Sequence, residues 1–552
     1  MNINDLQMIF QFFGGLGLFL YGMNIMAENL QKSAGGKLKS MMGSLTKNKF
    51  TAILIGFIVT ALVQSSSATT VMVVGFVNAG ILELSQAVGV IMGANIGTTV
   101  TAWLVSMSEW SSILKPAFFA PVFVGIGSFI LLFSKKEKSN KVAGILVGVG
   151  CLFIGLSFMS GSIEPYKDSP VFTGILTTLG GNPFLAVLAG AVVTGIIQSS
   201  AASIGILQTL AISGIVDWKA AVFILLGETI GTCVTALISS AGASKNAKRA
   251  SVIHLLFNVI GSTVFGIIMF IVFIFMPDWA DSSINSVQIS LFHTAIKVMD
   301  VIILFPCSNL LIRMSMLIVK DGPEEPVVED EAAAMSRRLD KRILNNAAFA
   351  IQTAVKEVAV MGELAIANTK LACDAMLVPD KEKEKEVFEK EDVVDKLDNI
   401  LTTYLVEVDN LALTEEQHVM VKNLFYSISD IERISDHSNN IALLAQRRRK
   451  GGIEFSKKGY KDLETIIAPV LEGLEDAITS RIENDRTAAQ RVADLETQVD
   501  ELEKDIRDKH IQRLSKGKCE PESGVIFLDV LTNLERVSDH ALNISEYVLS
   551  EM

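Results

Sequence analysis

Two polar tracts interrupt apolar stretches of the chain, Gln64-Ser65-Ser66-Ser67-Ala68-Thr69-Thr70 and Gln198-Ser199-Ser200-Ala201-Ala202-Ser203. Serine and threonine are favoured helix N-caps, so a helix restarting at either tract turns unpaired N–H groups toward the break. Two such restarts supply partial positive charge and convergent hydroxyl donors, the chemistry of an anion site. Ser65, Ser66, Ser67 and Thr69 of the first tract answer to Ser199, Ser200, Ala201 and Ser203 of the second. The carbonyls left at the preceding helix ends, with the Gln64 and Gln198 side-chain oxygens, are hard ligands suited to sodium. Hydroxyls that merely satisfy a broken backbone are the plainer reading, and the presence of two matched copies argues against it.

A second pair of tracts follows the first, GANIGTT (Gly93 to Thr99) and GETIGTC (Gly227 to Cys233). Asn95, Thr98, Thr99, Thr229 and Thr232 can donate or accept, and the glycines permit close backbone approach. Glu228 stands where the first copy has Ala94. A carboxylate inside an apolar span is a cation ligand or a proton carrier, unless it only hydrogen-bonds a neighbouring helix end. His254 and Asn258 have no polar counterpart in the first copy (Ala120, Val124) and are expected to join helices by structural hydrogen bonds.

The elements that must position these residues are membrane spans. The 552 residues are 50% hydrophobic and 20% charged, with a net charge of -12. Lys and Arg number 18 against 12 Asp and Glu up to Lys320, and 30 against 48 thereafter. An apolar, slightly basic half therefore precedes an acidic, highly charged one. That excludes a simple soluble enzyme and intrinsic disorder, and the acidic bias argues against nucleic acid. The five cysteines are scattered without CxxC spacing, which suggests neither a disulfide framework nor a zinc site. The start, MNIND, lacks the basic region of a cleavable signal peptide.

Apolar stretches run at about 8–30, 51–80, 87–107, 116–133, 142–161, 184–214, 220–240, 250–276 and 288–318. A helical crossing needs about 20 residues. The stretches 51–80 and 184–214 are too long for one straight helix and too short for two crossings, and each contains a polar tract. Basic clusters lie at Lys32–Lys49, Lys135–Lys141 and Lys245–Arg249, with Arg313 and Lys320 closing the apolar half. If both broken stretches are re-entrant hairpins, every cluster falls on the cytoplasmic side, with seven crossings and the N-terminus outside. A single crossing at 51–80 would instead place Lys135–Lys141 outside.

The two halves are related by a constant shift of 134 residues, which carries Gln64-Ser65-Ser66 onto Gln198-Ser199-Ser200 and GTTVTA onto GTCVTA. Under this topology the copies enter from opposite sides, the arrangement of a carrier whose solute sits at the repeat interface. No Arg or Lys lies deep in either repeat, and each charge moved against 100 mV costs about 2.3 kcal/mol. A co-transported cation can neutralise an anion, so coupled movement is expected rather than a passive pore. No nucleophile–base pair is evident, and an enzyme is not expected.

Beyond a linker at 321–334, residues 335–552 read as six long helices, with breaks near Pro379, Leu413, Gly451, Asn484 and Pro521 and a kink or break at Pro469. SDIERISDHSNNI recurs 103 residues later as TNLERVSDHALNI, predicting two tandem three-helix repeats. Glu432, Asp436 and Asn440, like Glu535, Asp539 and Asn543, form one helical ridge that divalent metal could bridge to DVVDKLD (392–398) and LETQVDELE (495–503). Solvated acidic faces paired with Arg433 and Arg536 are the alternative.

The QSSS-type and GANIGTT-type tracts resemble those of the type II sodium-dependent phosphate cotransporters, over essentially residues 1–320. That resemblance implies inverted repeats (about 51–133 and 184–276) around one phosphate site with adjacent sodium sites. Gln64, Ser65, Ser66, Ser67, Gln198, Ser199 and Ser200 would line those sites, supported by Asn95, Thr98 and Thr232. The second tract departs from the pattern at Ala201, so the halves need not contribute equally. Residues from about 335 to 552 resemble PhoU-type domains, which implies E-x-x-x-D metal ridges holding divalent or iron-type metal, and a regulatory role. The expectation is an all-α, polytopic protein of the cytoplasmic (inner) membrane with a cytosolic helical domain. It would carry phosphate with sodium by alternating access, with a homo-oligomeric or regulatory-protein partner for the bundle. Another oxyanion, proton coupling, or a membrane-anchored sensor are the alternatives.

Overall fold

The computed structural model describes residues 3–42, 48–109, 116–167, 169–321 and 330–551, which are helical with no strands among them. The chain forms two compact units, Met1–Pro326 with Asp340–Ala348, and Val327–Leu339 with Phe349–Met552. Most of the expected linker (322–329), together with Lys47, Lys115 and Asp168 of the expected loops, lies outside the described residues.

The first unit begins with α1 (Ile3–Met42), α2 (Lys49–Val63), α3 (Ser66–Asn78), α4 (Leu84–Gly97), α5 (Thr99–Ser106), α6 (Pro116–Phe133) and α7 (Glu137–Ile163). It continues with α8 (Pro170–Gly181), α9 (Pro183–Ile197), α10 (Ser200–Ile212), α11 (Trp218–Gly231) and α12 (Cys233–Ser239). It closes with α13 (Lys245–Phe275), α14 (Pro277–Ala280), α15 (Ser286–Leu304) and α16 (Ser308–Ile318). Among the described residues six stretches are long and apolar enough to cross a membrane: 3–34, 84–109, 137–166, 218–239, 245–275 and 286–304. The seventh expected crossing, 116–133, falls on α6, which is shorter. Helices α2 and α3 have 15 and 13 residues. At 1.5 Å per residue each reaches roughly 20 Å, short of a ~30 Å hydrocarbon layer.

The 134-residue repetition is structural as well as sequential. Asn48 caps α2 and Asn182 caps α9, each through its own side chain. Helix α2 ends at Gln64 and α9 at Gln198, both in the left-handed region. Ser65 and Ser199 then cap α3 and α10, accepting from the amides of Ala68 and Ala202 at 3.1 and 3.2 Å. Glycines let the paired helices touch backbone to backbone. A Cβ on Gly93 would fall 1.9 Å from the Ile53 carbonyl, and one on Gly227 would fall 2.0 Å from that of Val187. So α4 lies directly on α2, and α11 directly on α9.

The second unit contains α17 (Glu331–Arg338), α18 (Ala347–Leu377), α19 (Lys381–Asp409), α20 (Glu415–Gly451), α21 (Lys457–Glu483), α22 (Arg486–Ser515) and α23 (Pro521–Ser550). Four of the six long helices start from a side-chain cap, at Asp380, Thr414, Ser456 and Asp485. Pro469 causes no break, because α21 runs through it. The two repeats are joined through α20 and α23, where the His437 and His540 rings stack at 5.6 Å and Tyr426 meets Tyr547 at 5.5 Å.

One boundary differs from the sequence reading. Asp340–Ala348, taken as the start of the bundle, packs with the membrane unit. Its turn Lys341–Asn345 buries Ile343 beside Gly75 of α3, where a missing Cβ leaves room. Asn78 Nδ2 donates to Asp340 at 2.6 Å, and Arg342 Nε donates to the Ser239 carbonyl at 2.7 Å. Polarity marked this segment as linker or bundle, but its side chains bond the last residues of α3 and α12.

Candidate functional site

The two chain breaks meet. A cavity of about 340 Å³ is lined by Gln64, Ser65 and Ser67 from the first break, and by Gln198, Ser199 and Ser200 from the second. Residues 20–27 of α1 supply the remaining wall, including Tyr21 and Asn24. Polar groups from two helix starts thus converge on one space, which suits a tetrahedral oxyanion.

The copies are matched in backbone but not in hydrogen bonding. Gln64 is buried: its Oε1 accepts from Thr101 at 2.9 Å and its Nε2 donates to the Ala61 carbonyl at 2.5 Å. Gln198 is exposed. Thr60 donates to Thr69 at 3.0 Å, whereas its counterpart Thr194 has a buried hydroxyl without a partner, as does Thr235, the counterpart of Thr101. The second copy therefore retains more free polar capacity. Thr69 and Ser203 donate back to the carbonyls of Ser65 and Ser199, at 3.0 and 3.3 Å, and Thr99 donates to that of Ile96 at 2.8 Å. These three hydroxyls line neither cavity.

A second, much smaller pocket of about 10 Å³ is lined by Ser66, Ser200, Asn95, Thr98, Glu228, Thr229 and Thr232, with His293 and Lys297 of α15. It joins the second motif pair to the serine tracts, since Ser200 lines both spaces. The sequence reading missed Lys297, which lies outside both repeats. The expectation that no basic residue lies deep holds only within the repeats: Lys297 is buried and donates to Asn95 Oδ1 at 2.8 Å and Asn258 Oδ1 at 2.9 Å. A lysine in the middle of the apolar run 288–318, one helical turn after His293, was the available signal. Asn258 accordingly does more than join helices; it also donates to the His254 carbonyl at 3.1 Å.

In the second unit the carboxylates group differently from the expected ridge. Glu391, Asp395 and Asp436 form one cluster and Glu496, Asp500 and Asp539 the other, with ligand atoms in each within 4.8 Å of one another. Each ridge contributes one Asp and the neighbouring helix two acids. Burial, then mutual repulsion, raises Glu391, Asp395 and Glu496 above the usual carboxylate range. Glu432 and Glu535 are raised by the same causes. Asn440 and Asn543 stand apart: Asn440 lines a surface hollow with Arg447 and Asp529, and Asn543 donates to Asp430 at 3.1 Å. Crowded hard oxygen donors of this kind suit a divalent cation.

Comparison with known proteins agrees with this division. Residues 18–161 and 168–300 match the Na+/Pi-cotransporter family, and 358–445 and 464–548 match the PhoU domain. The Escherichia coli (strain K12) protein YjbB, named for inorganic phosphate export, is 23% identical over 97% of this chain and 96% of its own length. Sodium-dependent phosphate transport protein 2A of Rattus norvegicus is 37% identical over 99 residues, 17% of this chain and 15% of its own. PhoU of Pseudomonas aeruginosa is similar in structure at TM-score 0.35 and 22% identity, over 36% of this chain and 94% of its own. The chain belongs to the Na+/Pi-cotransporter family and joins that multi-pass membrane domain to a C-terminal PhoU domain.

Proposed function

We propose that the protein moves inorganic phosphate across the cytoplasmic (inner) membrane together with sodium, by alternating access at the interface of two inverted repeats. The observation that carries this reading is the meeting of both serine-capped breaks in one cavity. Phosphate would sit against the Ser65 and Ser199 ends of α3 and α10, which offer amide hydrogens, hydroxyls and the positive ends of two helix dipoles. Sodium would take the carbonyls vacated where α2 and α9 stop, with the Gln198 side-chain oxygen and the unsatisfied Thr194 hydroxyl nearby in sequence. The hairpins would enter from opposite faces, with the N-terminus outside and the PhoU domain in the cytosol, in keeping with the basic clusters.

The PhoU domain would regulate transport, and the hydrogen bonds of Asp340–Ala348 to the last residues of α3 and α12 give a route for it along the chain. Its two acidic clusters would hold the metal that the domain type implies. No protein chemistry beyond binding is required.

Uptake of radiolabelled phosphate into proteoliposomes under imposed sodium, potassium or proton gradients tests the proposal. Sodium-driven accumulation abolished by Ser199→Ala is expected. Accumulation driven equally by potassium would reject sodium coupling, and binding without accumulation would favour a sensor. Full-length similarity to a protein named for phosphate export makes the direction of net flow the second quantity to read, by reversing the gradient.

A further inference from the structure

We propose that the Lys297 ammonium is a tethered counter-cation, seated between the two repeats beside Glu228 where a free coupling ion would otherwise be needed. The inference rests on the cation-coupled oxyanion reading above and assigns a role to a residue outside both motif pairs.

Helix α15 follows the second repeat, yet Lys297 is 3% exposed and bonds one carboxamide from each repeat, Asn95 at 2.8 Å and Asn258 at 2.9 Å. An ammonium has three donors, so one remains for the pocket that Lys297 and Asn95 line. That pocket, about 10 Å³, holds one water-sized particle and no oxyanion. Glu228 lines it at 4% exposure, and its Oε2 has no hydrogen-bond partner. Asp300, one turn beyond Lys297, is also buried with Oδ2 unpartnered, pressed against Gly261, where an added Cβ would lie 2.5 Å from that oxygen. Buried carboxylates persist when a positive charge is at hand. Here that charge is covalently attached. The other titratable neighbours are Cys233, whose Sγ accepts from Asn258 at 3.3 Å, and His254 and His293, each with a buried ring nitrogen without a partner.

A sodium ion entering beside Lys297 would face a like charge. The ammonium therefore pre-empts a cation position behind Ser66 and Ser200, and the carrier needs one coupling ion fewer than its oxygen ligands would otherwise bind. Lys297→Gln removes the tethered charge, leaves Glu228 and Asp300 uncompensated, and opens the position to sodium.

The test is thermal unfolding of the full-length protein in detergent, titrated with sodium chloride against potassium chloride, for the wild type, Lys297→Gln and Lys297→Gln/Glu228→Gln/Asp300→Asn. Lys297→Gln is expected to gain a sodium-specific stabilisation whose Hill slope exceeds the wild type's by about one. The triple variant, with none of the three charges, is expected to return to the wild-type slope. An unchanged slope in Lys297→Gln, or a gain that persists in the triple variant, overturns the proposal. If Lys297→Gln folds in neither salt, the triple variant decides: folded with the wild-type slope supports the charge pairing, and unfolded rejects it. The titration requires no transport, so a wild type inactive in phosphate uptake would reject the symport reading while leaving this measurement valid.

Discussion

Gln64 and Gln198, 134 residues apart, hold the same left-handed conformation, φ 55° with ψ 24° and φ 54° with ψ 25°. Each stops one helix and aims the next helix start into the shared cavity. A non-glycine residue in this region costs on the order of 1 kcal/mol. Gln198 makes no buried bond to offset the cost, so Gln198→Gly is expected to raise the melting temperature by about 1–2 °C. Gln64→Gly would strand the buried Thr101 hydroxyl and lose about 1–2 kcal/mol. Both variants are expected to lower sodium-dependent phosphate uptake at least tenfold. Equal thermal shifts in the two would contradict the asymmetry.

Close helix contact fixes where the breaks meet. Gly93→Ala and Gly227→Ala place a methyl about 2 Å from a carbonyl oxygen of the partner helix. Each is expected to cost about 2–4 kcal/mol, because backbone rather than a side chain must move. Gly125→Ala, with nothing within 4 Å, is the control and should leave stability unchanged or slightly improved.

Arg342 holds the segment after the linker onto the membrane unit through the Ser239 carbonyl, with Asp340 of the same segment bracing its guanidinium. Arg342→Ala removes these bonds and should loosen residues 340–348 by about 1–3 kcal/mol. Faster amide exchange there, with exchange in α18–α23 unaltered, is the expected readout. Uptake should then respond less to whatever the PhoU domain senses.

The acidic clusters carry repulsion that a cation would relieve. Asp395→Asn and Asp500→Asn are expected to abolish stabilisation by divalent manganese. Their metal-free stability should stay within about 1 kcal/mol of the wild type, since both clusters are partly solvated. Metal binding should weaken as pH falls toward the raised carboxylate values, because protons compete for the same oxygens. Calorimetric titration at two pH values separates these outcomes.

His510 is buried against Phe527, with ring centroids 4.2 Å apart. Burial, then the Arg513 charge, pushes its pKa down to about 4. The unfolded chain therefore binds this proton more tightly than the folded one. Its contribution is present above the ordinary histidine value near 6.5 and is lost as pH falls from there to about 4. The loss is about 3 kcal/mol at most. His510→Gln should flatten the stability curve over that interval; His437, also lowered by burial, retains a smaller slope.

Much of this molecule was determined by the sequence alone, because the governing physics is local. Apolar run length marks the spans, polar residues inside such runs mark the breaks, and Asp380, Thr414 and Asp485 announce helix starts by capping chemistry. The identical offset of both motif pairs exposed the duplication before any coordinate. The tertiary structure alone decided what depends on contacts between elements far apart in the chain. Lys297 reads, like Asp300, as a stray charge in an apolar helix until α15 is packed between Asn95 and Asn258. Asp340–Ala348 reads as polar connector until Ile343 finds the space beside Gly75. The expected ridge is split because neighbouring helices, and not consecutive turns of one helix, bring the carboxylates close together. The unequal hydrogen bonding of Gln64 and Gln198 likewise arises from packing, since their backbones and neighbouring residues are nearly the same.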